Sequence, residues 1–257
     1  MGILQGKVTV VTGAGRGIGA AAARLFAAEG AKLVLAARTR AEVEALAAEL
    51  TAAGAEAVAV AADVTTAEGA QRPVAAAIET YGRLDAAFDN AGAGPVPAPL
   101  ADRDESTWDE VHALNLRGTW LCLRAQLRAM AARGRGGSVV LNTGVGALVG
   151  GFGDGTQQAA KHGMTGLVKA ATADYAALGI RVNAIAPGVA RTSATEAFFA
   201  AGPQLAAAVA RATPLGRVAD PAEFAEAAAW LLSDRASYVT GVTLPVDGGL
   251  TAVRTFT

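Results

Sequence analysis

Residues 7–19 read KVTVVTGAGRGIG, and the reading of this stretch decides the fold. KVTVVTG (7–13) is a nearly all-apolar, β-branched run, the pattern of a strand buried on both faces. The glycines of TGAGRGIG (12–19) let the chain turn tightly and let backbone N–H groups come close to a bound group. IGAAAARLFAAEG (18–30) then has a helical pattern, and a helix beginning near Gly17 points its positive end at whatever the loop holds. Taken alone, the cluster is equally a tight strand–helix turn. Opening a strand–helix–strand unit, it predicts a pyrophosphate cradle.

Further strands follow at KLVLAA (32–37), EAVAVAA (56–62), RLDAAF (83–88), GSVVLNT (137–143), IRVNAIA (180–186) and VTLPV (242–246). Helical patterns such as AEVEALAAELTAAG (41–54) and PAEFAEAAAWLLS (221–233) lie between them, and two long helices are predicted over 102–132 and 155–178. Strands joined by crossover helices pair in parallel. The prediction is therefore an α/β fold: a single Rossmann-like, doubly wound, seven-stranded parallel sheet with helices on both faces, one domain over 1–257. The irregular stretch 188–218, with its FF, GP and TPLG, is predicted to be a mobile lid at the carboxyl end of the sheet.

Composition narrows the function. The 257 residues are 52% hydrophobic and 18% charged with a net charge of −1, which argues against disorder and against nucleic acid, whose phosphates need a basic face. The alanine-rich stretches are broken by Arg, Glu or Gly, so none reads as a membrane span. MGILQGK runs straight into a strand with no signal-peptide layout. One cysteine, Cys122, and two histidines make neither a disulfide nor a zinc site. The expectation is a soluble, cytoplasmic protein with a small-molecule substrate and no metal.

The second strand ends in AARTR (36–40). An acid there would hold the 2′-hydroxyl of NAD and repel a 2′-phosphate; Ala37 stands in that place and Arg38 follows. Arg16, in the glycine loop, adds a second cation. The chain is expected to take NADP(H) rather than NAD(H); the alternative is two solvated surface arginines.

At this point the chain resembles the short-chain dehydrogenase/reductase family over nearly its whole length. TGAGRGIG is similar to the family's TGxxxGxG loop, with Gly13, Gly17 and Gly19 in register and Ile18 beside them. Asp63 and Val64 resemble the pair that contacts adenine. DNAG (89–92) resembles NNAG, with Asn90, Ala91 and Gly92 matching and Asp89 departing. Asn115 matches the asparagine of the family's proton relay. PGVART (187–192) resembles the stretch that holds the nicotinamide carboxamide, which places Pro187, Gly188 and Thr192 there. VDGG (246–249) resembles a C-terminal signature near a subunit interface. The resemblance implies a homodimer or homotetramer.

It also implies a serine, a tyrosine and a lysine acting together on the proton of the reaction. Lys161 is present, but Gln157 stands at the tyrosine position and Gly144 at the serine position. Tyr175 lies 18 residues beyond Gln157, roughly 27 Å along a helix. Tyr81 and Tyr238 fall on other elements. Gln157 can donate a hydrogen bond but is no acid near neutral pH. Asp154 is the nearest substitute: an acid with its pKa raised by an apolar pocket, or else a helix N-cap. Thr143 and Thr156 read as turn and cap residues, His162 as a packing residue, and His112 as a residue without an evident partner.

Three functions follow from this set. The first is an NADP(H)-dependent oxidoreductase acting on an iminium, imine or conjugated acceptor in a small apolar or cyclic metabolite, in a pocket shaped by Val96, Pro97, Gly150, Gly151, Phe152, Phe198 and Phe199. The second is a non-catalytic subunit pairing with an active relative in a hetero-oligomer. The third is a non-redox cyclase, isomerase or dehydratase, with Asp154, Gln157 and Gln158 orienting the substrate.

Overall fold

In the computed structural model, residues 1–151 and 154–253 are described. Seven parallel strands form one sheet in the order β3-β2-β1-β4-β5-β6-β7: β1 (Val8–Thr12), β2 (Lys32–Ala37), β3 (Ala57–Ala61), β4 (Ala86–Asp89), β5 (Gly137–Asn142), β6 (Ile180–Pro187) and β7 (Thr243–Val246). Each falls within two or three residues of its predicted position. The alternation of a strand explains why nearly every position is apolar. Val8 and Val10 pack into one core and Val11 into the other; in β5, Val139 and Leu141 face one side and Val140 the other.

Helices α1 (Gly17–Ala28), α2 (Arg40–Ala52) and α9 (Pro221–Leu232) cover one face, where Phe26 and Phe88 meet edge to face at 6.0 Å. Helices α3 (Ala67–Tyr81), α5 (Thr119–Arg133) and α6 (Gly155–Tyr175) cover the other. The predicted helix over 102–132 is a continuous run that starts later, as α4 (Glu105–His112), and widens into a π-helical stretch, Ala113–Gly118, before α5. The 188–218 stretch is not irregular. It holds α7 (Ser193–Ala201) and α8 (Pro203–Ala212). Thr192 and Thr195 close a capping box at the start of α7, and the Gly202–Pro203 break, which masks the helical pattern in the sequence, starts α8 with proline in its first turn.

The strand order reverses direction between β1 and β4, so their carboxyl ends part there and leave a crevice. Asp89, the last residue of β4, is buried beside this crevice. Its Oδ1 accepts from Gln126 Nε2 at 2.8 Å, while its Oδ2 and Gln126 Oε1 have no partner among the described residues. Burial, opposed by the bond from Gln126, pushes its pKa up to about 7. A carboxyl raised from the usual value near 4 binds its proton more tightly folded than unfolded. Its stability contribution is therefore full below about pH 4 and is lost as pH rises through about 7. Asp89→Asn keeps the acceptor for Gln126. It is expected to change the melting temperature little near pH 4 and to raise stability near pH 8 by on the order of 4 kcal/mol. Melting curves of both proteins across this range decide it, and an equal difference at both ends would refute it.

Candidate active site

The carboxyl edge of the sheet opens a cleft of about 340 Å³ between the β1–α1 turn, the ends of β2, β4 and β5, and the first turns of α6. The turn is built by close approach. A Cβ at Gly13 (φ +63°) would stand 2.9 Å from Ala91 Cα, and one at Gly19 would stand 2.6 Å from Asn90 Nδ2. A Cβ at Gly17 (φ +56°) would meet Thr192 Cγ2 at 3.2 Å. Arg16 is the residue before α1, extended and with no side-chain cap, and the first turn of α1 has no acid. The helix thus presents free N–H groups to the cleft, which Ile18 also lines.

Asn90 ties the floor together. Its N–H donates to Thr12 Oγ1 at 3.0 Å and its Nδ2 to Gly13 O at 3.0 Å, while its Oδ1 accepts from Asn142 Nδ2 at 2.7 Å. Ala91 N–H shares Thr12 Oγ1 at 3.2 Å. Asn142 was not anticipated; the signal was a polar residue ending a buried strand. Gly92 lies beside Asn115 and Lys161, since a Cβ there would stand 2.8 Å from Asn115 Oδ1 and 3.4 Å from Lys161 Nζ.

Asn115 sits in the π-helical stretch and explains it. Its Nδ2 donates to Val111 O, one turn back, at 2.9 Å and to Ala93 O at 2.7 Å. Its buried Oδ1 has no partner among the described residues and faces the cleft side of Gly92. Lys161 Nζ donates to Asn142 O at 2.9 Å. No carboxylate pairs with it among the described residues, and burial pulls its pKa down to about 8.

Gln157 lines the cleft and also an adjoining hollow of about 190 Å³ that Gly144, Gln158, Lys161 and Pro187 share. Its amide lies against Gly94, where a Cβ would stand 2.6 Å from it. Gly144 has φ 141° and ψ 160°, a conformation open only to glycine without strain. Thr143 Oγ1 is spent on Ile185 O at 2.7 Å.

Several expected site residues lie elsewhere. Asp154 is not poised as an acid. It is the N-cap of α6, its Oδ1 accepting from Thr156 N and Oγ1 at 2.9 and 2.5 Å, its Oδ2 from Arg103 Nε at 2.9 Å. Burial pulls its pKa up, but the bonds from Thr156 and Arg103 outweigh that and hold it below the usual carboxylate value. Asp63 is exposed and folds back on Thr65, leaving Ala62 and Val64 to line the cleft. Gly188 packs on Asp247 rather than on the cleft. Arg38 lines the cleft and is exposed. His162 is exposed, bonded to Gln158 O, and is not a packing residue. His112 has a partner after all, stacking on Trp108 at 3.9 Å. Tyr81, Tyr175 and Tyr238 line neither hollow. Phe199 is buried, while Phe152 and the side chain of Phe198 fall outside the described residues.

A larger hollow, about 580 Å³, lies at the opposite edge of the sheet. Three of its four cations are engaged structurally: Lys7 pairs with Asp234, Arg133 with Asp85, and Arg181 caps the carbonyls of Leu231, Ser233 and Val239. Among the described residues no helix is long and apolar enough to cross a membrane, and no three His, Cys, Asp or Glu side chains gather to hold a metal.

A lysine whose pKa is lower folded than unfolded binds fewer protons when folded, so its burial costs stability below about pH 8 and the cost fades as pH rises toward 10.5. Lys161→Met is expected to melt higher than the wild type near pH 7, by on the order of 3 kcal/mol, with the gap closing near pH 10. A gap that is constant with pH would show that the ammonium is compensated by a group not identified here.

The family model described as enoyl-(acyl carrier protein) reductase matches residues 13–251. The chain is 46% identical over 250 residues to an A-factor type γ-butyrolactone 1′-reductase (1S-forming) of Streptomyces virginiae, covering 97% of each chain. It is 39% identical to a 2,5-dichloro-2,5-cyclohexadiene-1,4-diol dehydrogenase of Sphingobium indicum, covering 98% of this chain and 100% of the relative. Among solved structures, levodione reductase superimposes with a TM-score of 0.92 at 36% identity, over 98% of this chain and 100% of the other.

Proposed function

The chain belongs to the short-chain dehydrogenase/reductase family and is an oxidoreductase of that type; on that premise we propose that it uses NADP(H) and works without the family's serine and tyrosine hydroxyls. The observation that carries this reading is a complete glycine and amide floor ending in a buried lysine, beside a hollow that Gly144 and Gln157 leave without a hydroxyl acid. The free N–H groups of α1, with Gly13, Gly17, Ile18 and Gly19, suit a pyrophosphate. Arg16 and Arg38 suit a 2′-phosphate. Val64 offers adenine an apolar wall, with Asp63 beyond it. Asn90, Ala91 and Gly92 back the cleft, Lys161 would hold a ribose hydroxyl, and Pro187 and Thr192 would lie at the nicotinamide end, with Gly188 packed behind them on Asp247.

Bound there, the dinucleotide supplies or accepts the hydride. The chain's own residues do the rest. Gln157 orients a substrate oxygen or nitrogen by donating a hydrogen bond, and keeps its proton. Asp154 is spent on the helix cap. A positioned acid is typically worth about 10²–10⁴ in rate, so its loss favours an iminium, which becomes a neutral amine on taking hydride, or a conjugated system, whose enolate takes its proton from water. Both named relatives act, by their names, on ring compounds, and a cyclic substrate is proposed here too. Fluorescence titration is expected to show binding of NADPH. NADPH absorbance is expected to fall with cyclic iminium salts or cyclohexenones, and little with saturated cyclohexanones. Gln157→Tyr is expected to raise cyclohexanone reduction at least about 10-fold. Adding Gly144→Ser helps less, because any side chain at that φ costs about 1–3 kcal/mol of strain. Wild-type turnover of cyclohexanone as fast as that of Gln157→Tyr would sink the proposal.

Copies of the chain are proposed to pair through α4, α5 and α6, where Trp108 and Trp120 are each 42% exposed and Leu116 and Leu167 line an open apolar hollow. Trp120→Glu is expected to lower the mass seen by light scattering to that of a smaller assembly; an unchanged mass would place the contact elsewhere.

A further inference from the structure

Helix α2 opens with Thr39-x-x-Glu42, the spacing of a capping box, yet Thr39 makes no side-chain cap bond. Glu42 is turned instead across the cleft. A Cβ added at Gly15 would run into its carboxylate and would stand 2.9 Å from its Cβ, so the side chain lies directly on the glycine loop. Gly15 has no positive φ; here glycine is needed for this approach rather than for its backbone freedom. Glu42 lines the same end of the cleft as Arg16, Ala37, Arg38 and Thr39. That is the end where the second strand of a dinucleotide fold meets the ribose 2′ position.

The charges at this end cancel. Arg16 and Arg38 bring two positive charges; Glu42 lies among them, and Asp63 is close enough for Arg38 to add to the hydrogen bonds of Thr65 that lower its pKa. No ion pair joins Glu42 to either arginine among the described residues, whereas Arg40 is drawn off by Glu44 at 3.1 Å. An unpaired carboxylate at this place repels a 2′-phosphate and accepts a hydrogen bond from a 2′-hydroxyl.

We infer that Glu42 is a specificity-determining residue for the dinucleotide: it takes from helix α2 the part that Ala37 cannot play, weakens the grip of the two arginines on a 2′-phosphate, and leaves the chain with a shallow preference between phosphorylated and unphosphorylated cofactors. The inference rests on the cofactor reading above and deepens it.

Dissociation constants of NADPH, NADH, 2′,5′-ADP and 5′-ADP, measured by fluorescence and calorimetry, test it without turnover. The wild type is expected to favour NADPH over NADH by less than about 10-fold. Glu42→Gln raises that ratio by about 3- to 10-fold at low salt, an effect that shrinks with added salt and recurs with 2′,5′-ADP against 5′-ADP. Glu44→Gln, on the same helix and away from the cleft, leaves the ratio where it was. If the wild type binds both dinucleotides and Glu42→Gln leaves the ratio unchanged, the role of Glu42 is refuted and the cofactor reading stands. If the wild type binds none of the four, both fall.

Discussion

The hydroxyl of Thr12 accepts two backbone N–H groups from the far side of a gap, those of Asn90 and Ala91. That contact is the constraint on which the cleft depends. At the switch point β1 and β4 send their chains opposite ways, and the backbone groups at their ends lose the partners a strand would give them. Thr12 and Asn90 supply those partners from side chains, and Asn142 in turn donates to the Asn90 side chain. In doing so they hold the glycine turn, the β4 turn and the end of β5 as one rigid floor. With the backbone at the ends of β1 and β4 bonded in this way, the first N–H groups of α1 and the two remaining hydrogens on Lys161 Nζ are available to a ligand. Asp89 stands directly behind this floor, so its charge state and the geometry of the crevice share one neighbourhood.

Lys161 and Asp154 show how one helix can treat two ionisable groups in opposite ways. Asp154, at the N-terminus of α6, is surrounded by donors from Thr156, Arg103 and Ala98 and is held ionised. Lys161, under two turns further on, has one carbonyl and, among the described residues, no anion, and burial loosens its proton. Arg103 reaches Asp154 from 51 residues upstream and also donates to Val96 O, so the loop after β4 is clasped to the start of α6. Gln157 rests on Gly94 within that clasp. The wall of the proposed substrate site is thus set by an ion pair with 15% and 1% of its side chains exposed, which makes it stiff where a surface pair would yield.

The architecture was legible because both of its signals are local. Apolar runs buried on two faces and helices between them force a parallel sheet, and the glycine spacing marks where a ligand meets it. What was not legible depends on distance in the chain. Nothing in the sequence joins Arg103 to Asp154, or Glu42 to Gly15. The Trp108–His112 stack is different: it is an i, i+4 pair on one helix and could have been read. The 188–218 stretch was misread as irregular because Gly202 and Pro203 look like loop residues when they separate two helices. Asp63 matched a motif, yet its carboxylate turned to its own loop, since a short acid two residues before Thr65 finds an N–H and a hydroxyl closer than any ligand.

Gly144 bears on the proposal that the site works without a serine hydroxyl. A serine at this turn would need a backbone that suits a side chain. Instead Gly144 sits at φ 141°, a region closed to other residues without strain, and next to a hollow rather than a filled gap. The turn after β5 has therefore settled into a course that only glycine permits, and it runs on into the Val145–Ala147 turn packed against α6. With a glycine-only turn on one side and Gln157 on the other, the chemistry proposed above is sought in the acceptor and not in a replacement acid.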